Sequence, residues 1–179
     1  MAGLSSRRAG PDDVAALEAV MAAAISELQR EFLSPEQIVA SRAIMGLDRQ
    51  LIADGTYFIV EFEDRIAGCG GWSRRATLYG GDHSPGRDAA LLDPARDAAR
   101  VRAMYTHPDF ARRGVGRLIL ALCEDAARAW GFTRLELMAT LSGEPLYRRC
   151  GYAEIERVED PRGGASVPLI HMGKAIDPP

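Results

Sequence analysis

The sequence predicts an α/β domain of the α+β kind, a mixed central sheet of about six to seven strands flanked by helices, formed by residues 1–179 as one unit. Three observations predict it. Apolar residues recur at three- and four-residue spacing early in the chain and again at 114–130, but run as β-branched and aromatic stretches or alternate at 56–62, 66–72, 100–106 and 132–139. The succession strand, helix, strand over 100–139 is a β-α-β unit, which joins parallel strands by a right-handed crossover. At 179 residues, 47% of them hydrophobic, the chain buries roughly 70% of its unfolded surface and needs no disulfide or metal staple.

The elements follow in order. After a short extended piece at 4–8, Gly10 and Pro11 open a helix with Asp12 and Asp13 in its first turn, where the helix dipole favours carboxylates. Val14, Leu17, Val20, Met21, Ala24, Ile25 and Leu28 form its apolar stripe. Ser34, with Gln37 three residues on, caps a second helix to about residue 45, and a short helical piece follows at 48–53. Two strands at 56–62 and 66–72 meet through the tight polar turn of Glu63, Asp64 and Arg65. Residues 75–97, punctuated by Gly80, Gly81, Pro85, Gly86 and Pro94, read as a long loop anchored by Leu91 and Leu92. Loops of that length in a compact domain are usually functional or disordered; Trp72 and Tyr79 read as walls of a binding site, with a core role at least as good a reading for Trp72.

A strand at 100–106 leads to a helix at 114–130 whose apolar face is Val115, Leu118, Ile119, Leu122, Ala126, Ala129 and Trp130, with Gly131 ending it. In the next strand Leu135, Leu137 and Ala139 alternate with Arg134, Glu136 and Met138. A short helix at 143–150 and strands at 152–158 and 167–176 complete the order.

Composition excludes several classes. No apolar run approaches the ~20 residues of a membrane span, and the start lacks the apolar core of a signal peptide, so a cytoplasmic location without membrane attachment is expected. Cys69, Cys123 and Cys150 form no Cys-x-x-Cys pair, which argues for reduced thiols. A net charge of −3 leaves no footprint for nucleic acid. Lys174 is the single Lys among 22 basic residues, and Arg100, Arg102, Arg112, Arg113 and Arg117 crowd together as a solvated charged face unless an anion lies near.

The segment with chemistry in it is Ala111, Arg112, Arg113, Gly114, Val115, Gly116 and Arg117, a Gly-rich turn entering a helix. Unpaired amides and the positive dipole end suit such a terminus to phosphate, and a plain tight turn is an equal reading of the Gly-x-Gly alone. The P-loop pattern needs Lys-Ser/Thr after its last Gly, and Arg117-Leu118 stands there; the dinucleotide fingerprint needs a third Gly. Neither fits.

The run His107-Pro108-Asp109-Phe110-Ala111-Arg112-Arg113-Gly114-Val115-Gly116-Arg117, followed one helix and one strand later by Leu146-Tyr147-Arg148-Arg149-Cys150-Gly151-Tyr152, resembles the GNAT superfamily of acyl-CoA-dependent N-acyltransferases, as does the order of elements. The first run has both glycines of the family's Arg/Gln-x-x-Gly-x-Gly/Ala motif, and the second its Tyr-x-x-x-Gly-Phe/Tyr stretch. Ala111 departs from the family's Arg or Gln, which leaves the backbone amides of Arg112 to Arg117 as the anchor. Thr140 stands near where many members carry Asn.

The resemblance implies acetyl-CoA as co-substrate, no metal, and transfer of acetyl to a primary amine by direct attack through a tetrahedral intermediate. It implies a splayed pair of parallel strands, with Met104, Tyr105 and Thr106 as the edge that receives the pantetheine arm. The Tyr105 N–H would then polarise the thioester carbonyl, and Tyr147 would protonate the departing thiolate. Without that role Tyr147 is a core aromatic. An amine is protonated at neutral pH, since alkylamines have pKa values near ~10, and needs a base. No base is singled out: Glu136 on the polar side of its strand, counted here with the catalytic candidates, His107 after the strand edge, and Asp82 with His83 in the loop all have bland structural readings. His171 reads as structural. Small-molecule and peptide amines both remain acceptors, and exposed strand edges near the C-terminus leave a homodimer open. A non-catalytic acyl-CoA-binding domain and a nucleotide-phosphate module are the competing functions.

Overall fold

The computed structural model of the chain describes residues 3–178. One seven-stranded sheet has the order β1-β2-β3-β4-β5-β7-β6, from strands β1 (Ser5–Arg8), β2 (Tyr57–Phe62), β3 (Arg65–Ser73), β4 (Ala99–Thr106), β5 (Arg134–Thr140), β6 (Ala153–Asp160) and β7 (Val167–Ala175). Only β4 and β5 are parallel, as the β-α-β reading requires; every other neighbouring pair is antiparallel. The helices are α1 (Val14–Glu27), α2 (Pro35–Ser41), α3 (Arg49–Ala53), α4 (Val115–Ala129) and α5 (Glu144–Arg149). Among them no helix is long and apolar enough to cross a membrane.

Local chemistry explains most boundaries. The Ser34 side chain accepts from the Gln37 N–H while Gln37 Oε1 accepts from the Ser34 N–H, a reciprocal cap at the start of α2. Glu63 and Asp64 both take positive φ, the backbone of a two-residue hairpin turn whose twist suits β2 and β3.

The two faces of the sheet are covered differently. Helix α1 buries Leu17, Val20, Met21, Ala24 and Ile25 against Tyr57, Ile59, Cys69 and Tyr105. On the other face α4 lies directly on β3, because Gly68 and Gly70 leave no side chain between them. A Cβ at Gly68 would come within 2.6 Å of Val115 Cγ1, and one at Gly70 within 2.7 Å of Ile119 Cγ2. The buried side of α4 is Val115, Ile119, Leu120, Cys123 and Ala127. This corrects the expected stripe by about one residue. Apolar residues cover more than one side of the helix, and β3 takes the Val115–Ile119 side. Ala129 is exposed, and Trp130, 53% exposed, lies under the Arg74 guanidinium at 4.3 Å.

Residues 75–97 are irregular but tied down. Thr77 and Asp88 exchange backbone and side-chain bonds, and Arg75 bridges to Leu91. Leu91 is not the apolar anchor expected of it: it is 62% exposed, and Leu92 alone packs on the core. Trp72, expected near a binding site, is 2% exposed and packs edge-on to Phe132, so it is core.

Candidate active site

The site begins with a missing ladder. Strands β4 and β5 pair only at Ala99 with Leu135 and Arg100 with Glu136, then diverge for the rest of their length. The cause lies on the other edge of β4. Its register against β3 jumps from Cys69–Tyr105 to Gly71–Arg102, so β4 carries one extra residue. Ala103 takes φ +49° there, and its carbonyl accepts from the Tyr57 hydroxyl at 2.6 Å. A bulge of this kind bends the strand and re-aims its side chains, and a non-glycine residue in that conformation is held there by its surroundings.

Pairing decides which amides face the gap. The His107 N–H donates to the Ala67 carbonyl, on the β3 side. Alternation along the strand puts the Tyr105 amide on that same side, opposite Cys69, and turns the Met104 and Thr106 amides toward β5. The oxyanion role expected of the Tyr105 N–H is therefore corrected: its direction is toward β3, and the open edge belongs to Met104 and Thr106. The Tyr105 side chain does reach the gap. Its hydroxyl accepts from the Gly46 N–H at 2.8 Å, and burial pushes its pKa up.

Between the diverging strands lies a cavity of about 90 Å³, lined among others by Met104, Tyr105, Leu137, Met138, Thr140 and Tyr147. Tyr147 enters from α5. Its ring packs edge-on to Tyr152 and its hydroxyl lies 3.7 Å from Met104 Sδ, a weak acceptor. Burial raises its pKa, and the phenol is protonated at neutral pH. Thr140 Oγ1 accepts from the Gly143 N–H, closing the turn that delivers α5 to the gap.

At the same end of the sheet, α4 presents its N-terminus. Gly114, at φ +84°, is the N-cap, no side chain caps it, and the first intrahelical bond runs from the Leu118 N–H to the Gly114 carbonyl. The amides of Val115, Gly116 and Arg117 are thereby left without intrahelical acceptors. A Cβ on Gly114 would meet nothing, whereas one on Gly116 would lie 2.8 Å from Leu146 Cδ2 and 3.7 Å from Thr106 Oγ1. Gly116 thus sits where α4, α5 and the end of β4 converge. Arg112, Arg113 and Arg117 are exposed, and none makes a salt bridge among the described residues; Arg113 lies over the Phe62 and Phe110 rings. Ala111 closes the turn of Pro108–Phe110 through its own N–H. This terminus fits a pyrophosphate, with backbone donors inside and exposed cations outside.

The base candidates fare differently. Glu136 Oε2 accepts from Arg100 Nη1 at 2.6 Å and lies 2.9 Å from His171 Nε2, at the paired end of the strands and outside the cavity lining. Its expected place beside the reacting amine is corrected accordingly. His107 Nδ1 accepts from the Asp109 N–H and caps the following turn. His83 is exposed, with Nε2 2.6 Å from the Arg42 carbonyl, and Asp82 pairs with Arg49.

One residue at the gap was not legible in sequence. Arg102, grouped there with a solvated charged face, has a side chain 2% exposed; it donates to Asp48 Oδ2 at 2.8 Å and to the Gly80 and Thr77 carbonyls. Burial lowers its pKa, and Asp48 opposes that fall. The bulge at Ala103 hid it, because it breaks the alternation by which Arg102 could be assigned a face. Among the described residues no group of three His, Cys, Asp or Glu side chains is arranged to hold a metal ion.

A mixed sheet with a splayed parallel pair, and a bare helix N-terminus beside the splay, defines a class of cofactor-binding transferase folds. Residues 21–152 match the acetyltransferase (GNAT) family, and the chain belongs to it. Solved structures share the fold across the whole chain. The GCN5-related N-acetyltransferase of Rhodopseudomonas palustris is 23% identical with a TM-score of 0.73, covering 98% of each chain. The PaiA N-acetyltransferase of Thermoplasma acidophilum, in complex with coenzyme A, is 14% identical with a TM-score of 0.66, covering 97% of this chain and 99% of its own. YncA of Salmonella typhimurium, with its cofactor acetyl-CoA, is 17% identical with a TM-score of 0.63, covering 97% of this chain and 94% of its own. No curated protein matches the chain in sequence.

Proposed function

We propose that the protein transfers the acetyl group of acetyl-CoA to the nitrogen of a primary amine. The observation that supports this reading is the convergence, at one end of the sheet, of the open β4 edge, the uncapped α4 N-terminus and the Tyr147 hydroxyl. In this reading the Val115, Gly116 and Arg117 amides hold the pyrophosphate, with Arg112, Arg113 and Arg117 screening its charge. The Thr106 and Met104 backbone pairs with the pantetheine arm as a further strand would, and the Met104 N–H faces the thioester carbonyl, where it stabilises the developing oxyanion.

The amine nitrogen bonds to the carbonyl carbon, the carbon–sulfur bond breaks, and the sulfur leaves as a thiolate. Tyr147 supplies the proton that this thiolate takes up and is reprotonated from solvent. The incoming ammonium gives one proton to water before its nitrogen attacks, and the adduct nitrogen gives a second to water as the amide forms, since Glu136 is engaged by Arg100 and His171 at the other end of the pair. A cytoplasmic location, where acyl-CoA thioesters are at hand, belongs to the same reading.

The test is a calorimetric titration with acetyl-CoA together with release of free thiol against a panel of amines. Saturable binding with amine-dependent thiol release supports the proposal. Binding without turnover on any amine would replace it with an acyl-CoA-binding role, and ATP or NAD binding as tightly as CoA would replace it with a nucleotide-phosphate module.

A further inference from the structure

Across the cavity from Tyr147 stands a second wall that family membership does not account for. It is built from the α2–α3 connection, the start of β7, residues 77–87 and Met138 of β5, with Ile44, Met45, Leu78, Tyr79, Met138 and Leu169 among its lining. These are apolar or aromatic side chains from segments far apart in the chain.

Residues 77–87 are held from three sides, with Arg102 and Asp160 buried among the partners. From β4, Arg102 donates to the Thr77 and Gly80 carbonyls. From the β6–β7 hairpin, Asp160 accepts from the Tyr79 hydroxyl at 2.8 Å and Arg162 donates to the Pro85 carbonyl. From the α2–α3 connection, the Ala43 carbonyl accepts from Ser84 Oγ at 2.8 Å. Such a segment is a fixed wall, since releasing it leaves several buried polar groups without partners.

Charge narrows what this wall accepts. Asp48 is already paired with both Arg102 and Arg87, and Asp160 with Arg162 at 2.6 Å. The one charged side chain in the cavity lining is a cation, Arg102, three of whose five N–H donors go to Asp48 and the two carbonyls. A second ammonium on the acceptor would lie against apolar side chains or beside Arg102, with no free carboxylate to receive it. Such burial is costly. A wider groove of about 330 Å³, bordered by Glu18, Asp82 and His83, shares Met45 and Gly46 with the cavity. The bond from the Gly46 N–H to the Tyr105 hydroxyl stands at that shared boundary.

We infer that residues 77–87 form a fixed lid on the acceptor side of the cleft, and that the acceptor is a small monoamine with an apolar substituent. This rests on the acetyl-transfer reading for its chemistry, but the pocket can be tested without turnover.

The folded protein, saturated with CoA, is examined by saturation-transfer NMR against isoamylamine, phenethylamine, spermidine, kanamycin and a short peptide with a free N-terminus. The same compounds are run as acceptors with acetyl-CoA. The apolar monoamines are expected to bind, and Leu78→Trp, which fills the cavity, is expected to abolish their signal while CoA affinity is retained. Their kcat/KM is expected to exceed that of spermidine, kanamycin and the peptide by at least about tenfold, the scale on which pockets reject an unpaired polar group. Leu78→Ala is expected to shift preference toward phenethylamine over isoamylamine. Preferential binding or turnover of spermidine, kanamycin or the peptide would overturn the inference, as would monoamine binding untouched by Leu78→Trp. Monoamine binding without thiol release on any amine sinks the transfer reading and leaves the pocket assignment standing.

Discussion

Strand β5 has two edges with opposite fates. Against β7 it makes seven register pairs, from Arg134–Ala175 to Thr140–Leu169, while against β4 it makes two. The same seven residues thus close a sheet on one side and leave a gap on the other. What differs is the neighbour: β7 is regular along β5, and β4 carries an extra residue at Ala103 that turns its second half away. An unpaired edge inside a sheet is costly unless something fills it, so the gap is best understood as a site for a ligand with its own amide donors and acceptors.

Two walls flank this gap, and they differ in how they are built. The wall proposed for the cofactor is local, with its glycines, arginines and helix start lying within residues 111–117. The acceptor wall joins residues widely separated in sequence, such as Tyr79 with Asp160 and Arg102 with Asp48. Substitutions on one wall are therefore expected to spare the other.

The largest effect is expected at the cofactor wall. Gly116→Glu puts a branched carboxylate where Leu146 and Thr106 close in, beside the anion site. CoA affinity is expected to fall by at least about 10³-fold in a protein that still folds, because a charge is set against phosphate in a confined cradle. Unchanged affinity by calorimetry would remove α4 from the cofactor site.

Next comes the acceptor wall. Arg102→Met strips the buried clamp from Asp48 and the two carbonyls, and breaking such a pair costs about 3 kcal/mol or more of stability. Chemical denaturation should show it, with acceptor KM raised and CoA affinity kept at a temperature where the variant is folded. Equal losses in both would mean that the two walls are one structure.

Tyr147→Phe sharpens the boundary between chemistry and packing. Turnover is expected to drop by about 10²-fold, the lower end of general-acid contributions, with CoA affinity intact. Stability should change by less than about 1 kcal/mol, since the hydroxyl has only a thioether for partner. Less than a threefold change in kcat across pH, with chemistry rate-limiting, would return Tyr147 to the core.

The acceptor wall should also titrate. Arg162 beside Asp160 lowers that carboxyl from 3.8 to about 2. A carboxyl depressed on folding stabilises the protein above its unfolded pKa, and this is lost as pH falls through the folded value. Asp160→Asn is expected to cost about 2 kcal/mol at pH 7 and to flatten the acid dependence of stability between about pH 4 and pH 2. An unaltered acid limb in denaturation curves would show that Asp160 does not anchor the wall. The smallest effect is ionic: CoA affinity should weaken a few-fold on raising salt from about 0.05 to 0.5 M, because Arg112, Arg113 and Arg117 are exposed. A flat response would turn those side chains away from the anion.

Much of this molecule follows from chemistry that acts within a few residues. The Ser34–Gln37 cap, the Glu63–Asp64 turn, the Leu135–Leu137–Ala139 alternation and the glycine-rich entry to α4 each state their conformation locally, and the structure has all of them. The wall proposed for the cofactor is local in sequence for that reason. Which side an amide faces, which arginine is buried and what closes the acceptor side depend on partners far along the chain. Tyr105 looked like the oxyanion donor until its pairing with Cys69 was known, and Glu136 like a base until Arg100 and His171 were seen to hold it. Arg102 looked solvated because Asp48, 54 residues away, carries no local sign of the meeting. Periodicity and capping are short-range properties that a sequence displays directly, whereas a strand bulge and a buried ion pair exist only once distant segments have been packed together.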